Sequence, residues 1–170
     1  VSVTSPPHST RPGTAGQPYL RAGAMIEGGT AFAPAPDLPA IRGNGAARNA
    51  RPIYAAPALV ERKLVTDLPW RTSALRALGG QLNVFAIETG VEAALMARGL
   101  DPFEGRLASL ADTRARTVLE KLREIGADIL AAEAENTAWG IGLARYKNVA
   151  AWAAVMAEIE LGDDIRVTGV

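Results

Sequence analysis

The stretch DTRARTVLEKLREIGADILAAEAENTAWGIGLARYKNVAAWAAVMAEIEL, residues 112–161, decides the fold. It contains no proline and is rich in Ala, Leu and Glu. In its first half Ala115, Val118, Leu119, Leu122, Ile125, Ile129 and Leu130 recur at spacings of three and four, the period of one helix face. Arg114, Arg116, Glu120, Lys121, Arg123, Glu124 and Asp128 then form a solvated side, with Glu/Lys and Glu/Arg neighbours at helical spacing. Past Asn136 the apolar set moves to Trp139, Leu143, Tyr146, Ala150, Ala153 and Ala157, with Trp152, Val155 and Ile159 on a neighbouring face. That spacing predicts either one long helix or two joined near Gly140–Gly142. An apolar arc this wide implies contact on more than one side.

Outward from this stretch, helices are expected over 81–98 and from Asp101 to about Leu110. Gly99 is the expected terminator of the first. Asp101-Pro102-Phe103-Glu104 is a start signal, with an N-cap, Pro at the first helical position and Glu at the third. Asp112 restarts the chain. A shorter helix is expected over about 68–78, capped by Asp67, begun at Pro69 and stopped by Gly79-Gly80. Residues 59–65 read as a short transition, strand or helix. Ile165 to Val170 alternates and reads as a strand with no evident partner in the body. The expected fold class is therefore mainly α: a small helical bundle or long helical hairpin with a short C-terminal strand.

Residues 1–58 differ in kind and are expected to form a long extended arm, with 59–170 as the body. Ten of the 11 prolines fall within residues 1–69. Pro and Gly punctuate the arm, and its large apolar residues keep no sustained period. Such a segment buries too little area to offset about 1–2 kcal/mol of backbone entropy per residue. The arm would gain order on a partner, using Tyr19, Leu20, Met25, Ile26, Phe32, Ile53 and Tyr54 as pegs. Five arginines and two acids give it a net charge of +3, which leaves −3 for the rest of a chain that is neutral as a whole. Arg42, Arg48 and Arg51 would meet an acidic protein surface or, with thinner support, phosphates.

The chemistry-bearing residues are sparse. The chain has no Cys, and its single His is His8. Histidine-dependent triads and Cys/His zinc sites are therefore excluded from the body. Di-iron bundles need Glu-x-x-His pairs, and there are none. Glu88/Glu92, Glu120/Glu124 and Asp163-Asp164 read as solvated faces or turns. Gly140-Ile-Gly142 and Gly43-Asn-Gly45 lack the strand–turn–helix context of a dinucleotide loop. No catalytic, cofactor or metal residue is expected, and no membrane span, since about 20 apolar residues would be needed.

The function these features suggest is a non-enzymatic structural subunit, homo- or hetero-oligomeric. Its concrete form would be a phage-type virion component, a head–tail connector or capsid-associated protein. Fifteen Arg against three Lys suggest a GC-rich bacterial or phage genome, hence a virion or the bacterial cytoplasm. The alternative is an accessory, non-catalytic subunit of a bacterial enzyme complex, packing through Trp139, Tyr146, Trp152 and Ile159. A weak nucleic-acid binder is the third possibility.

Overall fold

A computed structural model describes residues 2–5, 45–65, 76–132, 135–147 and 150–170. The expected 68–78 helix, with Asp67, Pro69 and Trp70, lies almost wholly outside the described residues. So do Tyr19, Leu20, Met25, Ile26, Phe32 and Arg42.

The elements run β1 (Ser2–Ser5), β2 (Glu61–Leu64), α1 (Gly80–Met96), α2 (Pro102–Ser109), α3 (Thr113–Ile125), α4 (Ala127–Ala131), β3 (Thr137–Tyr146), β4 (Ala151–Leu161) and β5 (Ile165–Gly169). β1 and β2 pair in parallel. β3, β4 and β5 form an antiparallel sheet in that order. The mainly α expectation is therefore corrected to a mixed α/β fold. The second half of the 112–161 stretch is a β-hairpin, not a helix, and it supplies the partner of the C-terminal strand.

The physical reason lies in the sizes of the residues. Along β3, Trp139, Ile141, Leu143 and Arg145 alternate with Ala138, Gly140, Gly142 and Ala144. Large side chains thus fall on one face of a strand and small ones on the other. A helix would have to absorb two glycines at about 1 kcal/mol each. Asn136 (φ 66°) and Lys147 (φ 45°) take left-handed conformations where the hairpin begins and turns.

The helices follow their start signals closely. The Asp101 carboxylate accepts from the backbone N–H of Phe103 (3.0 Å) and Glu104 (2.8 Å). The Asp112 carboxylate does the same for Arg114 and Ala115. Gly99 ends the first helix in the left-handed region (φ 62°), as a glycine at that position permits. Buried Ala115, Leu119 and Leu122 form the inner stripe of α3. They pack with Phe103, Leu107, Ile141, Leu143 and Met156 in a core between the helices and one face of the sheet.

The last part of the expected arm belongs to this core. Tyr54 is buried and bridges to Leu110, and the Ala55 N–H donates to the Ser109 carbonyl. Upstream, Ala46 lies against Gly79 so closely that a Cβ there would sit 1.9 Å from the Ala46 carbonyl oxygen. Asn83 of α1 donates to the carbonyls of Ala46 and Arg48 at 2.9 and 2.8 Å.

Candidate functional site: an open sheet face walled by helix α1

Two features of the sheet set up the site. The first is a buried polar cluster along the outer edge of β3. An edge strand presents unpaired N–H and C=O groups, and here side chains meet them. The Leu143 N–H donates to a Glu88 carboxylate oxygen at 3.2 Å. Arg106 donates to the Ile141 carbonyl at 3.5 Å, and Asn49 to the Arg145 carbonyl at 2.5 Å. Helix α1 is held there as a flank to the edge, running antiparallel to β3. Gly80 lies near Arg48 and hence near Tyr146, while Glu92 is joined through Arg106 to the Ile141 level.

Arg106 is fully buried, and its charge is met by Glu88 (3.3 Å) and Glu92 (2.6 Å). The Tyr54 hydroxyl donates to both oxygens of Glu88, at 2.8 and 3.0 Å. Burial pushes the Glu88 carboxyl above its ordinary range, although Tyr54, Arg106 and the Leu143 N–H all favour its charged form. Burial, reinforced by the Glu88 charge, also raises the Tyr54 phenol. The cluster ties α1, α2, β3 and the 45–54 segment together. Its acids and bases compensate one another, and Glu88 and Glu92 also line the groove beside the sheet.

That raised phenol has a measurable consequence. Folded Tyr54 keeps its proton to higher pH than unfolded tyrosine. Its stabilising share is whole below the ordinary phenol pKa of about 10 and is lost as pH rises beyond it. Tyr54→Phe is expected to cost about 1–3 kcal/mol near neutrality, because the Glu88 carboxylate loses a buried donor. It should also flatten the alkaline limb of the stability curve. Urea unfolding of both proteins from pH 7 to about 11 measures this. Parallel limbs would rule out Tyr54 as their source.

The second feature is the other face of the sheet. On β3 it consists of Ala138, Gly140, Gly142, Ala144 and Tyr146. On β4 it consists of Ala151, Ala153, Val155, Ala157, Ile159 and Leu161, and it continues onto β5 at Ile165 and Val167 through the register Leu161↔Ile165 and Ile159↔Val167. No charged side chain interrupts this face. Val155, Leu161, Ile165 and Val167 are exposed, and so are Phe85 and Met96 on the neighbouring wall of α1. Floor and wall enclose an open, strongly apolar groove of about 1040 Å³. Contiguous exposed apolar surface of this kind is uncommon on monomers and is found at interaction sites and ligand-binding grooves.

The sequence-predicted contact residues divide between these features. Tyr146 and Ile159 stand on the open face. Trp139 and Trp152 are half-buried on the opposite, helix-covered face. The Trp139 ring lies 6.0 Å from that of Phe103, and the Arg114 guanidinium stacks 3.5 Å over Trp152. Ile53 packs on the core beside Tyr54, Arg48 is buried with its guanidinium 4.8 Å over the Tyr146 ring, and Arg51 is exposed. Sequence reasoning missed the small residues Ala138, Gly140, Gly142 and Ala144, which leave the groove its depth. It also read Glu88 as solvated, whereas Glu88 is buried.

Among the described residues no group of three or more His, Asp or Glu could hold a metal ion, and no helix is long and apolar enough to cross a membrane. Comparison with protein-family models finds no match, and neither does comparison with curated proteins.

Proposed function

We propose that this chain is a non-enzymatic structural part of a larger protein assembly and that it binds its neighbour through the open face of the β3–β4–β5 sheet. The observation that carries this reading is the uncharged run of that face, flanked by exposed Phe85 and Met96. An antiparallel sheet leaves one face to water when that face is polar, and an apolar second face calls for a further layer.

The open face is built largely from the 138–159 stretch, and an accessory subunit of a bacterial enzyme complex would use it against another chain. A virion component would use the same face between copies. Residual arm residues such as Arg51 would add contacts at its margin.

Val155→Asp tests the reading, since it sets a carboxylate in the middle of the floor at a position already exposed. Folding stability should change by less than about 0.5 kcal/mol, as for other surface substitutions. Binding of a hydrophobic reporter dye and concentration-dependent association in sedimentation should both fall steeply. Unchanged association and dye binding would remove the face from consideration.

A further inference from the structure

The groove has two electrically different ends. At the hairpin end lie Arg48 and Lys147, with Arg145 at the β3 edge. Arg48 and Lys147 both lie over the Tyr146 ring, and the Nε of Arg145 is buried with no hydrogen-bond partner among the described residues. At the opposite end, where β3 begins and β4 turns into β5, lie Glu135, Asp163 and Asp164. Glu160 and Arg166, opposite one another in the sheet register, stand on the other face, and Arg98, beyond the end of α1, offsets part of that charge. Between the ends the floor is uncharged, and the α1 wall carries Glu88 and Glu92, both paired with Arg106. An α-helix carries about half a positive charge at its N-terminus and half a negative charge at its C-terminus. Such a dipole has one favoured direction in this groove.

We infer that the occupant of the groove is an amphipathic helix of a partner polypeptide, lying antiparallel to α1 with its C-terminal turn at Arg48 and Lys147. This rests on the reading of the open face as a protein interface and specifies its ligand. The Gly/Ala floor leaves room for large apolar side chains from an entering helix. Phe85 and Met96 stand beside it as a wall, and the antiparallel direction also places the two helix dipoles in their favourable relation. A helix as long as the 17-residue α1 spans about 25 Å, which brings its two ends to the two charged clusters. A second strand layer would meet the small-residue floor equally, but it has almost no net dipole to match the charged ends.

The test uses the full chain and two fluorescent, hydrocarbon-stapled helical peptides sharing one Leu/Phe stripe. One ends in an acidic last turn, the other in a lysine last turn. Anisotropy titration at low salt should show the acid-tipped peptide binding about tenfold more tightly, a preference that shrinks in 1 M salt as charges are screened. Lys147→Glu, at an exposed turn position, should reduce or reverse the preference. Val155→Asp should abolish binding of both peptides. Equal affinity, a preference for the lysine-tipped peptide, or acid-tipped binding indifferent to Val155→Asp would each overturn the inference. If the chain associates through the face while neither peptide binds, the helix is wrong and the interface reading stands. If association and peptide binding both ignore the Val155 substitution, the interface reading itself fails.

Discussion

Replacing Arg106 by alanine is expected to cost about 3–5 kcal/mol of folding stability, the range seen when one partner is removed from a buried ion pair. Domains of this size rest on about 5–15 kcal/mol in total, so the variant would stand near the edge of folding at neutral pH. Several losses coincide. Glu88 and Glu92 lose their counter-charge, and the carbonyls of Pro102 and Ile141 lose a donor. Arg106→Lys should recover only part of the loss. A single ammonium cannot donate at once to Glu88 from the Nε position and to Glu92 from the Nη1 position.

The penalty should depend on pH, and the direction follows from Glu88. Burial already raises its folded carboxyl above the unfolded value. Removing Arg106 removes a charge that opposes this rise. In the variant, stability is retained below the unfolded carboxylate pKa and is lost as pH climbs through the further-raised folded one. Arg106→Ala should therefore be least damaging in mild acid. Urea midpoints for both proteins at pH 4 to 8 check this. A pH-independent penalty would mean that packing, not charge, is what Arg106 supplies. The double variant Glu88→Gln/Arg106→Met should be markedly less unstable than the sum of its parts, since each change removes the other's uncompensated partner.

The helical half of this fold was legible because its signals are local. Asp101-Pro102 and Asp112 cap helices, Gly99 ends one, and the 115–122 stripe repeats at the helical period. The hairpin was not legible by the same means. Strand reading relies on alternation of apolar with polar residues. In β3 both faces are largely apolar, one with large residues and one with small, and in β4 polar residues enter only near its end, at Glu158 and Glu160. A binary pattern is blind to that difference. Side-chain size would have exposed it, since Trp139-Gly140-Ile141-Gly142-Leu143-Ala144 alternates strictly in volume. The wide apolar arc taken as a property of a helix was the signature of a two-faced sheet. The buried cluster was illegible for another reason. Glu88 and Glu92 do sit one turn apart on α1, but their burial depends on Arg106 and on the β3 edge, 14 residues and more away in sequence.

Phe103 is the second position where a large effect is expected. Its ring is almost fully buried at the second residue of α2, beneath Trp139 and within 5.9 Å of the Arg123 guanidinium. Phe103→Ala should cost about 3–5 kcal/mol, combining lost transfer energy with the cavity left behind. That cavity cannot close easily. The backbone at Phe103 is fixed by Pro102 and by the Asp101 cap, and Trp139 is fixed by the β3–β4 register. Trp139→Ala should cost less despite the larger ring, because that side chain is only half-buried. Chemical denaturation of the two variants gives the order. Trp139 fluorescence in Phe103→Ala should shift as its ring loses its neighbour. If Trp139→Ala proves the more damaging, the energetic centre lies at the sheet and not at the start of α2. Phe103 does not line the groove, so the fraction of Phe103→Ala that remains folded should keep the groove's peptide affinity. A fall in the affinity of that folded fraction would mean that the floor is held flat from beneath by this ring pair.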